Sequence, residues 1–272
     1  MKFLKGGIRF LFVCVGIVVL TSFTIDATDS LRTSQTALSI LMGNTFQGVC
    51  AEGTIEIDLE QKSICMDIYE NGVSKACAVT TPSSDSETKI NSDRKSCTSV
   101  SQAGVQPWTF VTFHQAKALC AKRDMRLPTA LEWYEASLGT PDSNVCNIHS
   151  SGIKTTGYSN ECVSSRGVYD MIGNVWEWVD VEVIDGTYNG RVLPESGYVA
   201  EVDRAGVVSS SSKTSISTYN EDYFYGETVG IKGMLRGGYY AGGDDAGLFA
   251  IHTKIPLSFS SNGTGFRCVK NL

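Results

Sequence analysis

At 272 residues with a formal net charge of −6, the chain has no cationic surplus with which to hold a phosphate backbone, and this excludes nucleic-acid binding. Apolar residues make up 42% of it and aromatics 10%, enough to bury a core, so the chain as a whole is not disordered. With 27 glycines against 6 prolines, a loop- and turn-rich fold is expected rather than a helical bundle.

The N-terminus carries the compartment signal. Lys2, Lys5 and Arg9 precede an uncharged apolar run from Phe10 to Leu20, and polar residues begin at Thr21. This is the layout of a secretory signal, with cleavage after Ala27 and Ile25 at the other position that favours a small residue. The alternative is an uncleaved anchor from Phe10 to Ile25, which would hold the protein to a membrane. Cys14 follows Val13 inside the apolar run, a poor box for lipid attachment. Residues 1–27 are therefore read as signal or anchor, 28–48 as a polar linker with one apolar patch (Leu38 to Met42), and 49–272 as one domain. The expected location is extracytoplasmic, secreted or surface-anchored.

Of the nine cysteines, removing Cys14 leaves eight. An even count in an exported chain reads as four disulfides. Zinc is the rival, but no CxxC pair occurs and His114, His149 and His252 do not sit at ligand spacing.

Along the domain, Thr54-Ile55-Glu56-Ile57-Asp58-Leu59 alternates as a strand, Glu60-Gln61-Lys62 turns, and a second strand runs through Ile64, Met66 and Ile68. Residues 80–99, rich in Ser, Thr, Asp and Lys, read as a solvated loop. Thr112 with Gln115 forms a capping box opening a helix with Phe113, Ala116 and Cys120 on one face. Thr129 with Glu132 opens a second helix from Ala130 to Leu138, ended by Gly139. Beyond Val179 come short strands and turns, marked by Asp185-Gly186, Asn189-Gly190, Gly237-Gly238, Gly242-Gly243 and Asn262-Gly263. Residues 181–230 read as an elaborated loop region.

Five blocks then fall in a familiar order: Arg126-Leu127-Pro128-Thr129, Glu132-Trp133, Gly167 through Trp178 (GVYDMIGNVWEW), Leu235-Arg236-Gly237-Gly238, and Gly265-Phe266-Arg267-Cys268-Val269. With Ile64 to Glu70 as an opening strand, they resemble the formylglycine-generating enzyme and sulfatase-modifying factor family. The resemblance implies an α+β, C-type lectin-like fold of the formylglycine-generating-enzyme type, loop-rich, with short antiparallel strands, two helices and disulfide staples. It also implies a bond between Cys120 and Cys268, leaving Cys50–Cys65, Cys77–Cys97 and Cys146–Cys162 as local staples by elimination and proximity. It assigns Trp133, Trp176 and Trp178 to the scaffold.

Two metal expectations come with the family. Calcium would be held by Asp170, Gly173, Val175 and Glu177, whose tight loop offers carboxylates and carbonyls to an ion that wants six to eight oxygens. The plainer reading is that Asp170 and Glu177 cap and hydrogen-bond the loop. A second family calcium site would begin at Asn147-Ile148, but its remaining ligands are not identifiable. Copper, which oxidising members bind through two cysteines after the Arg-Gly-Gly block, is not expected, because the matching positions are Gly242 and Gly247 and no thiolate remains for Cu(I).

No Ser-His-Asp order with a nucleophile turn and no phosphate-cradling glycine loop is present. Asp244 and Asp245 as an acid/base pair are disfavoured: neighbours on a strand point to opposite faces, and in a turn a solvated surface is the commoner fate. The chain therefore reads as a non-catalytic binding module for an unidentified protein or glycan. Tyr239, Tyr240, Asp244, Asp245, His252 and Lys254 form the candidate ligand-binding face, tyrosines among small polar residues giving rigid contact area. Phe249 in the same stretch reads as core. The C-terminal arrangement also resembles the variable proteins of diversity-generating retroelements. Two alternatives stay open: a divergent formylglycine-generating oxidoreductase acting on a sulfatase cysteine, and a structural cell-envelope protein.

Overall fold

The computed structural model describes residues 50–272; the signal or anchor, the linker and Cys14 lie outside the described residues. The first hairpin forms where the alternation places it. Strands β1 (Thr54–Asp58) and β2 (Ser63–Asp67) pair antiparallel with Ile57 opposite Ile64, both fully buried. The C-terminal strand β14 (Val269–Asn271) pairs with β2 on its other edge, closing a three-stranded sheet. A separate two-stranded sheet pairs β3 (Asn71–Val73) antiparallel with β4 (Ser99–Ser101).

Three helices form, one more than expected. The stretch read as a solvated loop contains α1 (Asp85–Ser92), capped by Ser84, whose hydroxyl accepts from the Glu87 amide. Its buried residues are Thr88 and Asn91, not apolar ones. Thr88 donates to the Thr109 carbonyl and accepts from the Trp108 indole, while Asn91 bonds the backbone of Ala78 and Val79. A helix docked by hydrogen bonds shows no hydrophobic period, so the sequence pattern passes over it. Helices α2 (Phe113–Ala121) and α3 (Ala130–Ser137) form behind complete capping boxes. Glu132 of the second box also receives a two-pronged pair from Arg126 at 2.6 and 2.7 Å and Lys62 at 2.7 Å. Burial alone would raise its pKa; these partners and the Thr129 amide hold it at about 2.

Residues 181–230, read as an elaborated loop region with short strands and turns, contribute strands to the main sheet. β5 (Trp176–Ile184) is the spine of a nine-stranded sheet that also holds β6 (Thr187–Tyr188), β7 (Arg191–Val192), β8 (Gly197–Val202), β9 (Val208–Ser212), β10 (Tyr223–Tyr225), β11 (Ile231–Arg236), β12 (Ile251–His252) and β13 (Thr264–Phe266). The Asp-Gly and Asn-Gly dipeptides make the β5–β6 and β6–β7 hairpins, with Asp185, Gly186, Asn189 and Gly190 all at positive φ, as two-residue turns between right-twisted strands require. β5 pairs antiparallel with β11 and parallel with β13, and β10 pairs parallel with β12.

The core divides around this sheet. On one side, Trp133 and Ala136 of α3 pack with Ile57, Ile64, Met66, Val179 and Phe224. On the other, Phe113, Ala116, Leu119 and Cys120 of α2 pack with Trp178, Leu235 and Phe266. Trp178 is fully buried, and its indole N–H donates to the Val111 carbonyl at 2.8 Å. Disulfides Cys50–Cys65, Cys77–Cys97, Cys120–Cys268 and Cys146–Cys162 staple the frame. Cys120–Cys268 is the pair the family resemblance implies, and the other three are the local staples expected by elimination and proximity. Cys120–Cys268 closes a span of 148 residues, the kind of long loop whose closure removes most entropy from the unfolded chain.

Candidate functional site

β5 alternates at its start as a strand must, and its two faces meet different chemistry. Trp176 faces outward into a groove of about 340 Å³ with Tyr225, Leu235, Tyr239, His252, Phe259 and the 261–264 turn on its walls. Parallel pairing of β10 with β12 sets Tyr225 beside His252, rings stacked with centroids 5.0 Å apart. Trp176 stands edge-on to both, at 6.4 and 5.9 Å. Burial and the neighbouring Lys254 charge pull His252 down to about 4, so it is neutral at pH 7. Its Nδ1 accepts from the Lys254 amide at 3.2 Å, which leaves the ring proton on Nε2. Burial, then Asp245 beside it, holds the Tyr225 phenol above its ordinary value, and its hydroxyl donates to Asp245 Oδ2 at 2.7 Å. The groove thus offers flat aromatic surface, neutral donors and no charged side chain on its walls.

The six residues of the expected ligand face scatter around this groove. Tyr239 and His252 line it. Tyr240 lies against Tyr239 at 5.2 Å and accepts from the Asn262 amide at 3.1 Å. Asp244 and Asp245 sit on a 3-10 turn (Gly243–Asp245); Asp245 is engaged with Tyr225, whereas Asp244 faces solvent with His149 at 3.4 Å. Lys254 is exposed on the rim. Phe249 packs on Tyr134 and Tyr219 against the core. Trp176, Tyr225 and Phe259 complete the wall. Trp176 was expected to be scaffold, and no sequence signal joins Tyr225 to residue 252, since only the strand order does so.

On the opposite face of β5, Glu177 enters a buried knot of charge. Arg267 spans both its oxygens, with contacts of 2.5, 2.7 and 3.0 Å, and the Trp133 indole donates to Oε2 at 2.7 Å. Arg267 also donates to the carbonyls of Asp67 and Tyr169. Beside it Glu70 accepts from the Asn174 side chain at 2.5 Å and the Val175 amide at 3.2 Å. Asp170 accepts from the Gly157 amide at 2.6 Å. Burial raises Asp170 to about 6, with Glu177 adding to the rise and Gly157 and Arg267 opposing it. Burial, then the charges of Asp170 and Glu177, push Glu70 well above the ordinary carboxylate range.

This arrangement bears on the calcium expectation. Asp170, Gly173, Val175 and Glu177 do lie on one tight loop, with Asp170, Gly173 and Asn174 at positive φ. Glu177 is turned to Arg267 and Trp133, and one Asp170 oxygen is held by a backbone amide. Among the described residues, no three acidic, histidine or cysteine side chains gather around a common point. As arranged, both carboxylates have protein partners and brace the loop.

The positions that match the copper pair of the oxidising enzymes, Gly242 and Gly247, carry no thiolate. All eight cysteines among the described residues are in disulfides. A Cβ built on Gly242 would stand 2.9 Å from the Ala246 methyl. One on Gly247 would run into Asp222 Oδ1 and come within 2.6 Å of Asp142 Oδ2. Neither position has room for a thiol.

Residues 59–272 match the family model described as sulfatase-modifying factor enzyme 1-like domain. No curated protein matches the chain. Among solved structures, the P3c variant of Major Tropism Determinant is 17% identical over 82% of this chain and 56% of its own, with a TM-score of 0.44. This chain therefore spans little more than half of that one. Treponema denticola variable protein 1 is 14% identical over 82% of this chain and 94% of its own, at 0.42. PvdO from Pseudomonas aeruginosa is 13% identical over 81% and 92%, also at 0.42.

Proposed function

The chain belongs to the family of the sulfatase-modifying factor enzyme 1-like domain, and from that premise we propose that it is an exported, non-catalytic binding module whose aromatic groove seats a protein or glycan ligand. The observation that carries this reading is the exchange at Gly247. The place of the family's second copper cysteine is filled by two aspartate carboxyls, while Trp176, Tyr225, Tyr239, His252 and Phe259 wall an open groove. Oxidation through a thiolate-bound metal has no ligands here, yet a concave apolar wall with a few polar groups is the usual form of a recognition site. Aromatic faces bury large area at low entropic cost. Export is supported by the basic-apolar N-terminus and by four disulfides, which persist in oxidising compartments. Among the described residues no helix is long and apolar enough to cross a membrane.

The test is a screen of the oxidised full chain against immobilised glycans and surface proteins, followed by Tyr239→Ala and His252→Ala on any hit. Each substitution is expected to weaken binding about tenfold or more, about 1.4 kcal/mol. A hit bound equally well by both variants would place the ligand elsewhere. Stoichiometric Cu(I) uptake with oxygen-dependent turnover of a cysteine peptide would overturn the non-catalytic reading.

A further inference from the structure

Behind the groove lies a carboxyl pair that the binding reading does not use. Asp222, between the 3-10 turn Ser217–Tyr219 and β10, is fully buried. Its Oδ2 accepts from the Phe249 amide at 2.6 Å, while its Oδ1 has no hydrogen-bond partner. Asp142, in the segment after α3, brings its own carboxyl to the same point, since one Cβ on Gly247 would meet Asp222 Oδ1 and Asp142 Oδ2 together. The one side-chain donor to Asp142 is the Asn220 amide at 3.3 Å. A buried acceptor with no donor is costly, and two ionised carboxylates in contact are costlier still. The surroundings do not resolve this. Asp244 adds negative charge to Asp142, and the Arg236 guanidinium only partly offsets Asp222. His149 is turned to Asp244.

We propose that Asp142 and Asp222 share a single proton, and that this bond latches the segment after α3 to Asp222 and, through the Phe249 amide that Asp222 holds, to residues 243–249, whose turn sets Asp245 against Tyr225 behind the groove wall. The proton gives Asp222 Oδ1 its missing partner and removes one of the two negative charges. Both pKa values move in the required direction. Burial raises Asp142 to about 6, and burial followed by the Asp142 charge holds Asp222 well above its ordinary value. The folded protein therefore holds this proton where the unfolded chain has lost it. The latch is fully present below the ordinary aspartate range and is lost as pH rises through the folded values. Because Asp245 accepts from Tyr225 on the groove wall, release of the latch loosens that wall at alkaline pH. Only this last consequence rests on the groove as the ligand seat, and the latch itself is measured without ligand.

The experiment is hydrogen exchange on the oxidised full chain from about pH 6 to about pH 9, corrected for intrinsic rates, read on peptides covering 243–250 with β1 and β2 peptides as reference. Wild-type protection of 243–250 is expected to fall by up to about tenfold for each pH unit as pH rises toward the folded titration of the pair, and to level off above it. In Asp142→Asn an amide N–H supplies the donor permanently, so protection should be independent of pH. Asp222→Asn is the second variant should the first fold poorly. A pH profile shared by wild type and variant would overturn the latch. So would recovery of wild-type protection at high pH on adding millimolar calcium or magnesium, which would identify a bridging cation instead.

Discussion

Trp176 and Glu177 are neighbours on one strand, and their surroundings differ as a frame differs from a display. Around Glu177 the polar groups are matched: Arg267 and Trp133 hold Glu177, Asn174 and the Val175 amide hold Glu70, the Gly157 amide holds Asp170, and Arg267 also reaches the carbonyls of Asp67, Ile68 and Tyr169. Around Trp176 the aromatic rings contact one another but leave a cavity, and His252 keeps a ring N–H facing it. The lesson is that a braced network and an open groove are divided between two sides of a single β-strand. A buried network with every member satisfied fixes the backbone, and the fixed backbone holds the opposite side chains in place at little entropic cost.

The comparison breaks most readily at Arg267. Arg267→Met leaves Glu70, Asp170 and Glu177 buried without a counter-ion, and a loss of about 3–5 kcal/mol is expected in urea denaturation. A loss below about 1 kcal/mol would mean that the carboxylates are neutral in the folded protein. A smaller effect sharpens it through pH. Asp170 at about 6 and Glu70 above the ordinary range hold protons more tightly folded than unfolded. Their contribution is full below the usual carboxylate value and is lost as pH rises, through about 6 for Asp170 and through the raised value of Glu70. Glu132, held at about 2, runs the other way, contributing above 4.5 and fading as pH falls toward 2. Stability should therefore peak near about pH 5 and fall by about 1–3 kcal/mol toward pH 8. Glu70→Gln should flatten that alkaline limb, and a variant with an unchanged limb would remove the knot as its source. The smallest effect belongs to the groove. Tyr239→Ala should cost less than about 1 kcal/mol in the same denaturation series, because the residue is partly exposed and makes no bond that the frame needs. A loss as large as that of Arg267→Met would make Tyr239 part of the frame.

The frame was legible in the sequence where local chemistry decides the backbone. Thr112 with Gln115 and Thr129 with Glu132 gave both boxed helices, and Asp185-Gly186 and Asn189-Gly190 gave two hairpins. Helix α1 was not legible, because Thr88 and Asn91 dock it by hydrogen bonds that leave no apolar period. Short strands were expected beyond Val179, but β6 and β7 could not be placed individually, because at two residues each they are too short for alternation to register. The groove was legible only in part. Tyr239 and His252 lie in the stretch that composition singled out, but Trp176 and Tyr225 reach them through strand pairings of large sequence separation. Glu177 kept its position in the expected loop and took an unexpected partner, since nothing local announces that the Gly-Phe-Arg-Cys segment returns beneath it.

The small three-stranded sheet has a topological consequence. Cys65 of β2 is bonded to Cys50 on one side and lies opposite Lys270 of β14 on the other. The two ends of the described domain therefore meet at a single residue. A short flexible linker from 272 to 50 would close the chain into a ring without disturbing any strand, and new ends could be opened at an exposed tip such as Asn189-Gly190. The domain is thus a natural cassette, able to be circularly permuted or inserted whole into a loop of another protein.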